Sequence, residues 1–244
     1  MTTESFFVPV RLYQFSSKCI PWLMAIGLLL LVVAWVWGVA FTPADKVQNE
    51  GFRLIYFHVP AAMWSLGIYI LMAIFAFITL VWQSKISELF MMAMAPIGAV
   101  FTFIALFTGS IWGAMMWGTW WEWDARMTSE LILFFLYLGV LGLYYTFDNR
   151  HSAGHVVAIL VIVGVINIPI IHFSVDWWQT LHQASTRSLQ SVNEVMRPPL
   201  RIGMLAYFVL FLALGLIRFK TLLLQNSMRR GWKLESLLAR KGKV

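Results

Sequence analysis

The sequence predicts an all-α integral membrane protein of six transmembrane helices. Both termini are expected in the cytoplasm, with a periplasmic aromatic loop and short surface helices on the other side. Three observations lead there. Of 244 residues, 60% are hydrophobic and 12% charged, with a mean hydropathy of +0.76, whereas soluble domains carry about 25% charged residues. The apolar residues fall into six blocks, each near the roughly 20 residues that cross a bilayer as helix. Finally, 12 of the 18 lysines and arginines lie with the termini and the even-numbered turns, and the cytoplasmic side of a membrane protein carries that excess.

The elements follow in order. Arg11 and Lys18 precede span 1, about 20–41, which is too long for a signal-peptide core and reads as a retained anchor. Residues 42–60 form a polar loop carrying Arg53 and His58. Pro60 suits the first position of span 2, about 61–83, where its missing N–H costs nothing. That places His58 just above the top of the span. Lys85 and Glu88 mark a turn before span 3, about 92–112, in which Pro96 predicts a kink. A tryptophan-rich loop leads to span 4, about 129–147, with an earlier start open because Thr119 and Glu122 have capping-box spacing. Span 5 is about 155–173, with Pro169 near its far end, and span 6 about 202–224. No internal repeat or low-complexity segment interrupts the chain, so 1–244 reads as one membrane domain ending in a basic cytoplasmic tail, 218–244.

The net charge of +7 does not point to nucleic acid, because eight of the basic residues are in that tail beside the last span. The single cysteine, Cys19, rules out an internal disulfide, and no C-x-x-C-H is present for covalent haem attachment. No G-x-x-x-x-G-K-[ST] is present for ATP hydrolysis. Histidines do not recur in pairs within the spans, as a quinol-oxidising bundle cytochrome requires.

The chemistry concentrates between Trp112 and Glu130, where Trp112, Trp117, Trp120, Trp121 and Trp123 stand directly before Asp124 and Arg126. A membrane protein places tryptophan at either bilayer surface, but here the distribution is one-sided. Trp22, Trp82 and Trp232 are inner, while Trp35, Trp37, Trp64, the five of the loop, Trp177 and Trp178 are outer. A plain interfacial belt leaves that skew unexplained; an aromatic shelf for a flat ligand accounts for it.

His58 and His182 flank the shelf on the same side. A histidine at a helix N-terminus is held neutral by the dipole, and neutral imidazole is the form that binds metal. His182 follows Trp178 by four residues, so on a short surface helix both share a face. Haem held between two histidines takes one from each loop. Arg53 and Arg126 lie nearest in sequence as cations for its propionates; alternatively Arg126 pairs with Asp124 or Glu122 and orders the loop. Asp124 either caps span 4 or orients a ligand histidine. His172 is core or a polar contact, and His151 and His155 are solvated on the cytoplasmic side.

The stretch W-G-T-W-W-E-W-D-A-R-M-T-S-E, from Trp117 to Glu130, resembles the tryptophan-rich signature of haem-handling proteins. With F-H-V-P-A-A-M-W-S and H-F-S-V-D-W-W-Q-T-L-H-Q, in the same order, the chain is similar to the haem exporter protein C family of bacterial cytochrome c maturation system I. The likeness runs from about Arg11 into the basic tail; Met127 stands where the signature usually has leucine. The resemblance implies an inner-membrane protein that holds non-covalent haem b at the periplasmic surface through His58 and His182. It also implies handover to a periplasmic haem chaperone, without chemistry of its own beyond promoting attachment. Its expected partners are an ATP-binding-cassette ATPase with its membrane subunit, a small single-span subunit and the lipid bilayer. The alternative class is an enzyme, either a membrane haem lyase or a quinone-linked b-type cytochrome; the lyase that shares the signature has many more spans.

Overall fold

The computed structural model describes residues 9–147, 150–182, 189 and 192–229. The described residues contain helices and no strands. In chain order the helices are α1 (Pro9–Ala40), α2 (Ile55–Trp82, entered through a 3-10 turn at Glu50–Leu54), α3 (Lys85–Trp117), α4 (Ala125–Thr146), α5 (Arg150–Gly164), α6 (Asn167–Trp177) and α7 (Arg197–Arg229). Six stretches are long and apolar enough to cross a membrane, α5 and α6 together making one of them. This is a multi-pass membrane protein.

The helices are longer than the apolar blocks alone indicate, because their ends are set by capping chemistry. Ser84 caps α3, its hydroxyl accepting from the Ser87 N–H at 3.3 Å. Gly118, at φ 74°, ends it in the left-handed conformation that glycine adopts without strain. Trp112 and Trp117 therefore sit on α3 and not in a loop. Asp124 caps α4 by accepting from the Met127 N–H at 2.7 Å, so that helix starts at Ala125 and not at the Thr119 capping box. His58 and Pro60 also lie inside a helix, in the first two turns of α2, and not in the loop above it. Pro96 lies within α3, which runs through it.

Span 5 differs more. It breaks at Val165–Ile166, where a turn separates α5 from α6 and leaves Pro169 near the start of the second piece. Trp178 ends α6 in an extended conformation, and 179–182 are irregular, so the short surface helix expected to carry Trp178 and His182 is absent. Arg187 and the basic tail from Arg230 onward lie outside the described residues, as does the His151 side chain.

α3 is the most enclosed helix and packs against α2, α4 and α7, while α1 leans on α7 at the edge of the bundle. In lipid no hydrophobic force drives helices together, so close packing and interhelical hydrogen bonds hold them, at about 0.6–2 kcal/mol each. Trp64 on α2 donates its indole N–H to the Met204 carbonyl of α7 at 2.8 Å. Tyr137 on α4 donates to the Ser65 carbonyl of α2 at 2.7 Å. Asn167 on α6 donates to the Ser129 carbonyl of α4 at 2.9 Å. These three bonds fix α2, α4, α6 and α7 around the end of the bundle where α3 terminates.

Candidate functional site

At that end the helices line a cavity of about 680 Å³, within the roughly 300–1,000 Å³ of sites for small molecules and cofactors. Its walls come from the first half of α2, the last half of α3, the first turns of α4, one face of α6, Met204 of α7 and Leu189, and His182 closes one end. The lining is mainly apolar, with His58, His172, His182, Arg126 and Glu130 as its ionisable residues.

His58 is held by α3. Its Nδ1 lies 3.0 Å from the Ala105 carbonyl and 3.3 Å from the Thr108 hydroxyl. A carbonyl oxygen can only accept, so Nδ1 carries the proton and Nε2 keeps its lone pair. Gly109 makes this approach possible, since a Cβ there would stand 3.0 Å from the His58 Cε1. Trp112 meets the ring edge-on at 5.7 Å, and its indole N–H donates to Gln48 at 2.8 Å, tying α3 to the loop before α2.

His182 faces His58 with ring centres 6.3 Å apart and planes at 39°. Its backbone N–H donates to the Thr180 hydroxyl at 3.0 Å, and that hydroxyl donates to the second carboxylate oxygen of Asp124. Asp124 therefore uses both oxygens: one caps α4 and the other accepts from the Thr180 hydroxyl in the segment that carries His182. Trp117 flanks His182 with ring centres 6.3 Å apart.

Arg126 lines the cavity on the first turn of α4, and its guanidinium donates to the Ile171 carbonyl of α6 at 2.8 Å. One turn on, Glu130 is buried in the wall and accepts from the Ser65 hydroxyl at 2.9 Å. The other cation named from sequence is placed elsewhere. Arg53 pairs with Glu50 and donates to the Gly38 carbonyl and the Thr42 hydroxyl, both at 3.2 Å. It joins the turn before α2 to the end of α1 and does not line the cavity.

The tryptophans divide in the same way. Trp112 and Trp117 line the cavity, whereas Trp120, Trp123 and Trp178 are exposed, the first two at 65% and 74%. Trp121 packs edge-on against Trp123 at 5.4 Å. The site thus lies between the ends of helices, with only part of the aromatic loop touching it. Sequence reasoning missed Gly109, the Ala105 carbonyl and Glu130. Of these, Glu130 had a signal, since it follows Arg126 by four residues on one helix face. Among the described residues no cluster of three or more His, Cys, Asp or Glu side chains forms a metal site. A metal held here would need its other ligands from elsewhere, as a porphyrin supplies them.

Comparison with known proteins shows the family. A family profile described as "Heme exporter protein C" matches residues 2–234. A protein of that name from Escherichia coli is 54% identical over 239 residues, covering 98% of each chain. Its namesake from Haemophilus influenzae is 49% identical over 227 residues, covering 92% of each. That of Bradyrhizobium diazoefficiens is 41% identical over 224 residues, which are 91% of this chain and 85% of the relative.

Proposed function

The chain belongs to the heme exporter protein C family, and from that membership we propose that it binds haem b non-covalently and passes it on for c-type cytochrome assembly. Haem is its cargo, and the chain itself is a carrier.

The relation between His58 and His182 carries this reading. A metal–imidazole bond is about 2 Å and the ring centre lies roughly an ångström behind the ligating nitrogen, so two rings on one metal have centres about 6 Å apart. The observed 6.3 Å fits one iron between them. His58 already presents Nε2, because its Nδ1–H is engaged by the Ala105 carbonyl. Trp112 and Trp117 of α3 supply apolar wall, and Arg126, which lines the same cavity, is the cation assigned here to a propionate.

The remaining assignments go together with it. The charge distribution supports an inner-membrane protein with cytoplasmic termini and tail, which puts the cavity on the periplasmic side. The exposed tryptophans Trp120, Trp123 and Trp178 then form the surface to which a periplasmic haem chaperone docks. An ATP-binding-cassette ATPase with its membrane subunit and a small single-span subunit complete the assembly, since the chain has no nucleotide-binding motif of its own. The test is an absorption spectrum of the purified protein with haem added. A six-coordinate low-spin spectrum is expected, and one that survives loss of either His58 or His182 overturns the ligand assignment.

A further inference from the structure

Among the described residues, the wall of the cavity between α2 and α6 is thinly packed. α5 packs against both α2 and α4, but beyond the break at Val165–Ile166 α6 keeps only α4 as a substantial packing partner among the described residues. Gly164 marks the point of departure. The buried Tyr69 of α2 presses its hydroxyl against Gly164, leaving no room for a Cβ. After that contact the chain turns away from α2, and the space between α2 and α6 becomes part of the cavity.

The lips of that space are identifiable because they belong to two surfaces at once. Met63 and Ile70 on α2 line the cavity, yet they are 40% and 44% exposed. They also continue the stripe Ile74, Phe77 and Val81, whose spacing puts all five on one exposed face of α2. Pro169 on α6 is likewise both exposed and cavity-lining. A surface of exposed apolar side chains along a spanning helix is the lipid-facing one. The opposite end is different, since His182 lines the cavity there.

The geometry points to a lateral slot between α2 and α6, framed by Met63, Ile70 and Pro169, through which the planar, largely apolar ligand passes directly between the bilayer and the cavity. This rests on the haem reading above and adds to it the source, which is ligand dissolved in the adjacent leaflet. An apolar macrocycle moving edge-first through such a slot stays out of water until its iron lies between the histidines. Its carboxylates trail toward the headgroup level, where Arg126 stands on the first turn of α4.

The test uses the full chain reconstituted in lipid nanodiscs and follows growth of the low-spin haem band after rapid mixing. Hemin is supplied either in phosphatidylcholine vesicles or bound to serum albumin. Wild type is expected to load faster from vesicles. The pair Met63→Trp with Ile70→Trp narrows the slot and should slow loading from vesicles by about tenfold, since approach through a constriction acts on the association rate. Phe77→Trp, on the same stripe but away from the cavity, should leave the rate as it was. Ile70→Phe is a smaller obstruction that keeps the chain folded and should slow loading by less. Vesicle loading that ignores both lip variants, or that slows equally from albumin, overturns the slot while an intact low-spin spectrum preserves the haem reading. Failure of wild type to give that spectrum from either source overturns both.

Discussion

His58 and His182 stand 124 positions apart in the chain and face each other across 6.3 Å. One is fixed by α3 through the Ala105 carbonyl, the other by the Asp124–Thr180 connection at the start of α4. The pair is therefore held by two independent supports, and each can be removed separately.

Removing a ring is the most direct test. His58→Ala and His182→Ala are each expected to abolish the low-spin spectrum of the haem-loaded protein and to weaken retention during purification. His155→Ala, on α5, should change neither. Absorption spectroscopy and haem content on the same samples decide it.

The support under His58 predicts a graded effect. A Cβ at position 109 stands 3.0 Å from Cε1 of that ring, so Gly109→Ala forces a shift of a few tenths of an ångström. Gly109→Val, which adds branched bulk at the same place, should convert much of the spectrum to high spin. A low-spin spectrum in Gly109→Val identical to wild type would show that the ring has no need of this contact.

The support under His182 predicts a combined loss. Asp124→Ala removes the cap of α4, costing about 1 kcal/mol, and also the acceptor for Thr180. Melting in detergent should fall modestly, and haem should dissociate faster. Asp124→Asn keeps an acceptor for the Met127 N–H and should recover much of the melting temperature. If Asp124→Ala lowered stability without changing the haem off-rate, the aspartate would be a helix cap only.

Exposure divides the tryptophans into two groups with different expected phenotypes. Each half-buried ring of the cavity wall offers apolar area worth roughly 25 cal/mol per Å² removed from water, so Trp112→Ala and Trp117→Ala should lower haem retention. Trp120→Ala and Trp123→Ala remove exposed rings and should impair transfer to the chaperone while the iron spectrum holds. Bound haem and chaperone–haem adduct, measured in the same membranes, separate the two groups.

Orientation has its own test, drawn from the uneven lysines and arginines. Reporter fusions after Gln83 and after Asn149 should read cytoplasmic, and those near Asn49 and Ala125 periplasmic. The reverse pattern would move the cavity to the cytoplasmic face.

Much of this was legible along the chain. The six spans, the Asp124 cap, and the gathering of His58, His182, Trp112, Trp117 and Arg126 around one cavity follow from signals in the sequence: apolar run length, capping residues, and the alternation of spans and loops. Such features depend on neighbours in sequence, and a bilayer makes them decisive because every backbone group inside it must be bonded within its own helix. What lay outside that reach was everything set by contact between distant helices. The sequence placed Arg53 beside the site because it is close to His58, yet Thr42 and the Gly38 carbonyl draw it to α1. Hydropathy read span 5 as one helix, because a two-residue turn does not interrupt an apolar run; the seating of Tyr69 against Gly164 shows where it parts from α2. The tautomer of His58 required the Ala105 carbonyl, a partner 47 residues away. Sequence by itself determined the elements and the chemistry they could bring. The tertiary structure decided which of those groups meet, because hydrogen bonds and ring contacts act over a few ångströms in space and are indifferent to distance along the chain.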